Sequence, residues 1–166
     1  MMALAMGSLT RIFLRPSART PVREVQATIA VPGAGLTGDH AGGGNRQITL
    51  LDEAAWRDAC AELGQQLSPG ARRANLVLSG VDLGSAIGRA LRIGPCLIRV
   101  IAETRPCRLM DDVADGLQKA LDPGRRGGVY GRVLEGGEVR VGAPVEIVEA
   151  PAEPVQRELS LAGDSR

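Results

Sequence analysis

Residues 139 to 147, "VRVGAPVEI", place Val139, Val141, Ala143, Val145 and Ile147 on every second position, with Glu138, Arg140 and Glu146 facing the other way. Side chains alternate across a strand, so this pattern demands a half-buried strand of an antiparallel pair, and no helix could gather these residues into one apolar stripe. Gly136-Gly137 supplies the turn back to "GVYGRVL", which predicts a C-terminal hairpin. Upstream, "SLTRIFLR" (8–15) and "VREVQATIA" (22–30) alternate in the same way, with Pro16 and Pro21 bracketing the connection. "QITLLD" reads as a strand ending at Asp52, which can cap a helix over "EAAWRDACAELG". Trp56, Ala59, Cys60 and Leu63 share one face of that helix, and Gly64 is its natural stop.

"ANLVLSG" has the apolar middle of a strand covered on both faces, and "ALRIG" and "LIRVIAET" continue the β pattern. A second helix is expected from Asp111 to Leu121, with Val113, Leu117 and Leu121 on one stripe and Asp122-Pro123-Gly124 ending it. Strands outnumber helices and do not alternate with them regularly. The fold class is therefore mainly β, a barrel-like single domain with a few short helices. We expect a disordered stretch over 1–7, the domain over 8–150, and a mobile tail over 151–166.

A formal charge of +1 and an aromatic content of 2% give neither the field nor the stacking surface that nucleic-acid binding uses. No segment has the length of a membrane span, and "MMALAMGSLTR" lacks the basic start of a signal sequence. Three cysteines without a Cys-x-x-Cys, and a single histidine, argue against a closed zinc site and suit a reducing compartment. A cytoplasmic protein is expected.

"GAGLTG", Gly33 to Gly38, matches the dinucleotide fingerprint letter for letter. The match lacks its context, because Gly42, Gly43 and Gly44 follow where a phosphate-binding helix must begin. A glycine loop that turns sharply or lets backbone approach a ligand is the better account. Asp39-His40, just beyond, reads either as an acid–base pair or as a turn with a solvated histidine.

Cys60 falls on the apolar helix face and Cys96 at a strand start, both as core filler. Cys107 differs. Arg105 and Arg108 flank it, Pro106 ends the strand before it, and nearby cations favour the thiolate that attacks sulfur or binds a soft metal. A reactive and a packing role are both open on these residues alone. The pairs Arg72-Arg73, with Asn75 close by, and Arg125-Arg126 each precede a strand, where guanidinium groups can converge on a phosphate or remain as solvated charge.

Four blocks, "GLTGDHAGGGNRQITLLDEAAW", "LGQQLSPGARRANLVLSGVDL", "RIGPCLIRVIAETRPCRLMD" and "RGGVYGRVLEGGEVRVGAPVEI", resemble in order and spacing the MOSC domain, named for the C-terminal part of molybdenum cofactor sulfurases. The likeness runs over about residues 8 to 150. It implies a β-barrel in which Cys107 carries persulfide sulfur or ligates molybdenum in a bound molybdenum cofactor. It also implies that the Gly38, Asp39 and His40 loop, Arg73, Asn75, Arg105 and Arg126 belong to the cofactor-binding set.

Larger sulfurases add a pyridoxal-phosphate domain, whose Schiff-base lysine has no counterpart here, since the sole lysine, Lys119, lacks a phosphate-binding context. Sulfur would then come from a cysteine desulfurase-type partner. Some small members of the family resemble molybdenum-dependent reductases of N-hydroxylated compounds, a reading that requires an external electron-donor protein. A non-catalytic binding module is the remaining alternative.

Overall fold

The computed structural model describes residues 6–41 and 43–152. Of the expected termini, 1–7 and 151–166, all but Met6, Gly7, Pro151 and Ala152 lie outside the described residues. The strands are β1 (Gly7–Leu14), β2 (Arg23–Val25), β3 (Ala27–Val31), β4 (Gly35–Leu36), β5 (Ile48–Asp52), β6 (Leu76–Ser79), β7 (Ala90–Ile93), β8 (Cys96–Glu103), β9 (Val129–Glu135), β10 (Gly137–Arg140) and β11 (Pro144–Val148). Between them lie α1 (Glu53–Glu62), α2 (Leu83–Ala86), α3 (Leu109–Val113), α4 (Leu117–Leu121) and 3-10 turns at Pro69–Arg72 and Pro123–Arg125.

Strands β7, β8, β9, β5, β6 and β1 pair in that order, and β11 bonds to both β7 and β1, closing a seven-stranded barrel. Closure removes the free sheet edges that invite aggregation. All ladders are antiparallel except β5 with β6. Leu9, Ile12, Leu50, Leu76, Ile98 and Val129 are at most 1% exposed and fill the interior with aliphatic side chains, as an aromatic-poor chain must. The mainly β, barrel-like expectation therefore holds.

A second core lies against the outside of the barrel. Trp56, Ala59 and Cys60 of α1 pack there on Leu51, Met110, Leu117 and Leu121. The sequence signals for α1 act as expected: Asp52 accepts a hydrogen bond from Ala54 N at 3.1 Å. At the other end Gly64 N and Gln65 N donate back to Ala61 O and Cys60 O, a Schellman closure.

Four expectations are corrected, the first being the single strand expected over 22–30, which is β2 beside β1 and β3 in the small sheet with β10. The alternating run 139–147 is two strands in different sheets: β10 pairs with β3 in a small sheet with β4, whereas β11 returns to the barrel. Gly136-Gly137 is thus a corner where the chain changes sheets, and the partners of β9 are β8 and β5. The helix expected over 111–121 is two helices, because Ala114 is extended and Gly116 left-handed at φ 86, and Val113 is left 38% exposed. Finally, Gly7 belongs to the barrel, opposite Val145, and not to the N-terminal stretch.

Gly131 sits in β9 opposite an irregular stretch of β8, where a Cβ would lie 2.1 Å from Arg99 O. Gly131→Ala must push β8 from β9, and a cost of about 1–3 kcal/mol is expected, read as a lower urea midpoint. An unchanged midpoint would show that the barrel flexes at this seam.

Candidate functional site

One end of the barrel is organised by a buried polar cluster. Asn75, fully buried just before β6, accepts at Oδ1 from Thr49 N (3.0 Å) and Arg15 Nη2 (3.1 Å). Its Nδ2 donates to Phe13 O and to Asp39 Oδ1, both at 3.0 Å. The Asp39 side chain is 0% exposed and accepts from Arg15 N (2.7 Å), Nε (3.1 Å) and Nη2 (3.0 Å), and from Ala41 N (3.2 Å). Burial raises the Asp39 pKa, but the hydrogen bonds and charge of Arg15, with Asn75, outweigh it and leave the carboxyl below its ordinary value.

Asp39 is therefore a positioning carboxylate for Arg15. His40 does not pair with it: its Nδ1 lies 2.9 Å from Arg15 O, to which its backbone N also donates. Gly38, at φ 91, turns the loop beneath Leu14.

Above this cluster, Arg15, Arg46, Arg72 and Arg73 share with Thr49, Thr104 and Gly127 the lining of a cavity of about 80 Å³. Arg72 donates from Nε to Gly127 O (3.1 Å) and from Nη2 to Thr104 O (3.0 Å). Arg73 stands left-handed at φ 63, a conformation that costs an L-residue about 1–2 kcal/mol. Its guanidinium is held by Ser17 O and Thr20 O at 3.0 and 2.7 Å. Arg46 lies over the Tyr130 ring, 5.3 Å from the centroid.

Burial lowers the Arg72 pKa; the charge of Cys107 opposes this and that of Arg46 adds to it. Arginine nevertheless stays protonated, so the cavity concentrates positive charge. Thr104 is 7% exposed, and its Oγ1 is buried without a hydrogen-bond partner among the described residues. Such an orphan costs about 1–3 kcal/mol unless something binds it.

At about 30 Å³ per water, the cavity has room for two or three waters or one tetrahedral oxyanion. That suits a phosphate group. A larger groove of about 640 Å³ runs beside Trp56, Cys60 and Leu67, but its lining offers one cation, Arg57, and a thiol whose pKa burial raises.

Cys107 is exposed, whereas Cys60 and Cys96 are buried. Its loop leaves the rim after β8, and Thr104 N donates to Gly128 O at 2.8 Å to close the loop base. A Cβ on Gly127 would crowd Thr104, Arg72 and Pro106, so the residue before Cys107 lies close to two residues that line the cavity.

The model of the MOSC domain matches residues 37–146, well over half of the chain. The chain belongs to the MOSC domain family. Solved structures agree on the fold. The YuaD protein of Bacillus subtilis is 17% identical, with 90% of this chain and 100% of that one covered and a TM-score of 0.73. YiiM of Geobacillus stearothermophilus is 20% identical over 86% and 75% of the two chains, at a TM-score of 0.70. YiiM of Escherichia coli is 18% identical over 91% and 74%, at 0.66. No curated protein matches. MOSC domains are associated with binding of the molybdenum cofactor, which gives this chain a general role in the chemistry of that cofactor.

The MOSC barrel brings together Asp39, Arg73 and Asn75 at one rim, with Cys107 beside it. It leaves Arg126 out: Nη2 pairs with Glu62 at 2.7 Å and Nη1 donates to Ala120 O, tying α1 to α4. Arg105 is exposed on the Cys107 loop and does not line the cavity. Arg15, Arg46 and Thr104 escaped sequence reasoning because each is a lone polar residue at a strand or loop end. Only Arg72 carried a signal, as half of a pair.

In this MOSC domain a Cβ on Gly127 would lie 2.6 Å from Thr104 O and 3.1 Å from Arg72 Nη2. Gly127→Ala is expected to displace Arg72 from its two carbonyls and to cost about 1–3 kcal/mol, read as a lower urea midpoint. An unchanged midpoint would show that the loop yields at this point.

Proposed function

We propose that this MOSC protein is a sulfur carrier serving the molybdenum cofactor, with Cys107 holding the sulfur as a persulfide. The observation that supports it most is an exposed thiol whose charge acts on Arg72, one of the arginines that line an oxyanion-sized cavity. The residues fit the phosphate end of the cofactor: Arg15, Arg46, Arg72 and Arg73 would hold it, and Thr104 Oγ1 would donate to it. When bound, the cofactor supplies a molybdenum centre with affinity for soft sulfur ligands.

The chain's own part is to anchor the phosphate, keep Cys107 reachable at the rim and steady the anionic sulfur with the charge of Arg72. A cysteine desulfurase-type donor in the reducing cytoplasm completes the proposal. Among the described residues no helix is long and apolar enough to cross a membrane.

Incubation with a desulfurase and cysteine, followed by peptide mass spectrometry, tests the reading. One added sulfur atom, removable by reductant, is expected on Cys107 and not on Cys60 or Cys96. Sulfur on either buried thiol instead would overturn it.

The same soft thiol beside a phosphate anchor supports a second reading, in which Cys107 ligates molybdenum in a reductase of N-hydroxylated compounds fed by an electron-donor protein. Stoichiometric molybdenum and pterin in protein from a molybdenum-replete host favour that reading, and their absence counts against it.

A further inference from the structure

The arginine cavity raises a question about the sulfur donor. A persulfide delivered by another protein needs access to Cys107 but no oxyanion seat beside it. Here the wall of the cavity and the thiol loop are one construction. Arg72 bonds to Thr104 O and Gly127 O, a Cβ on Gly127 would meet Pro106 Cδ at 3.1 Å, and Cys107 follows directly in the chain. Thr104, whose buried hydroxyl has no partner among the described residues, is one of the residues that line a cavity sized for one tetrahedral oxyanion.

From this arrangement we infer that Cys107 is loaded by a small sulfane-sulfur compound ending in an oxyanion, of the thiosulfate or thiosulfonate class, whose charged end seats among Arg46, Arg72 and Arg73 with Thr104. The inference rests on the carrier reading and adds a small-molecule donor beside the desulfurase-type one.

The transfer balances without an outside oxidant. Cys107, having given its proton to solvent, attacks the outer sulfur of thiosulfate, and a bond forms from Sγ to that sulfur. The bond between the two thiosulfate sulfurs breaks, its electron pair leaving with the sulfonate group as sulfite. The cysteine sulfur is oxidised by as much as the sulfonate sulfur is reduced, and Cys107 remains as a persulfide anion. Charge builds on the departing group, where fixed guanidinium donors lower the barrier most. The same seat suits the phosphate of the cofactor, so donor and cofactor occupy it in turn, the first leaving before the second arrives.

The test uses the full chain with two donors, thiosulfate and inorganic polysulfide, the second lacking an oxyanion. Thiosulfate is expected to add one sulfur to Cys107 with stoichiometric release of sulfite. Inorganic phosphate should compete with it. Arg72→Gln, and separately Arg46→Gln at an exposed position that should not disturb folding, should raise the thiosulfate concentration for half-loading about tenfold, well beyond any change with polysulfide. Loading by polysulfide but not by thiosulfate overturns this inference and leaves the carrier reading standing. Thiosulfate loading indifferent to phosphate and to both variants also overturns it. Failure of both donors while a desulfurase still loads Cys107 overturns this inference alone, and failure of all three overturns the carrier reading as well.

Discussion

Asp39→Ala is expected to destabilise the fold by about 3–5 kcal/mol, because it strands a largely buried guanidinium that the native protein neutralises. The Arg15 side chain is 14% exposed and directs two donors at Asp39, while Asn75 Nδ2 and Ala41 N also lose an acceptor. Urea unfolding measures the loss, and a cost under about 1 kcal/mol, the range of a surface pair, would refute this account. The cluster also predicts an acid limb. Since the folded-state pKa of Asp39 is depressed, its contribution is fully present above the unfolded value, about 3.9, and is lost as pH falls through the folded one. Wild-type stability should therefore drop at acid pH with a slope that Asp39→Ala lacks.

Cys107→Ser should abolish sulfur loading while leaving the melting temperature unchanged. A hydroxyl cannot form the persulfide, and a side chain already in solvent leaves no cavity when its sulfur is replaced. Cys60→Ser and Cys96→Ser invert that pattern: loading should persist and stability fall, since each places a hydroxyl in a buried position. Cys96 already spends its S–H on Gly137 O at 3.3 Å. Sulfur retained on the Cys107→Ser protein would mean that the working thiol had been misassigned.

The strands and α1 were legible because each rests on a local rule, such as the alternation of β1 or the Asp52 cap. What failed was non-local. A period of two reports that residues 139–147 bury one face, but not that β10 and β11 bury it in different sheets. The site divides in the same way. Cys107 stood out through Pro106 and the end of β8, and Asn75 through its neighbours, yet Arg105 and Arg108, adjacent in sequence, are not what lines the cavity. That is done by four arginines from three separate stretches, which the closing of the barrel assembles. Arg126 misled because a pair of arginines before a strand looks alike whether it meets a ligand or, as here, Glu62.

The stretch from Thr104 to Gly128 leaves and re-enters the barrel between two neighbouring strands, and one hydrogen bond joins its two ends. It carries Cys107, α3 and α4 as a clasp whose hinge is fixed and whose outer arm rests on α1. Changes in the arm can reshape what reaches the sulfur while the arginines, held in the connections next to β1, β5 and β6, keep their places. Reactivity and partner choice in this protein can thus evolve at different speeds.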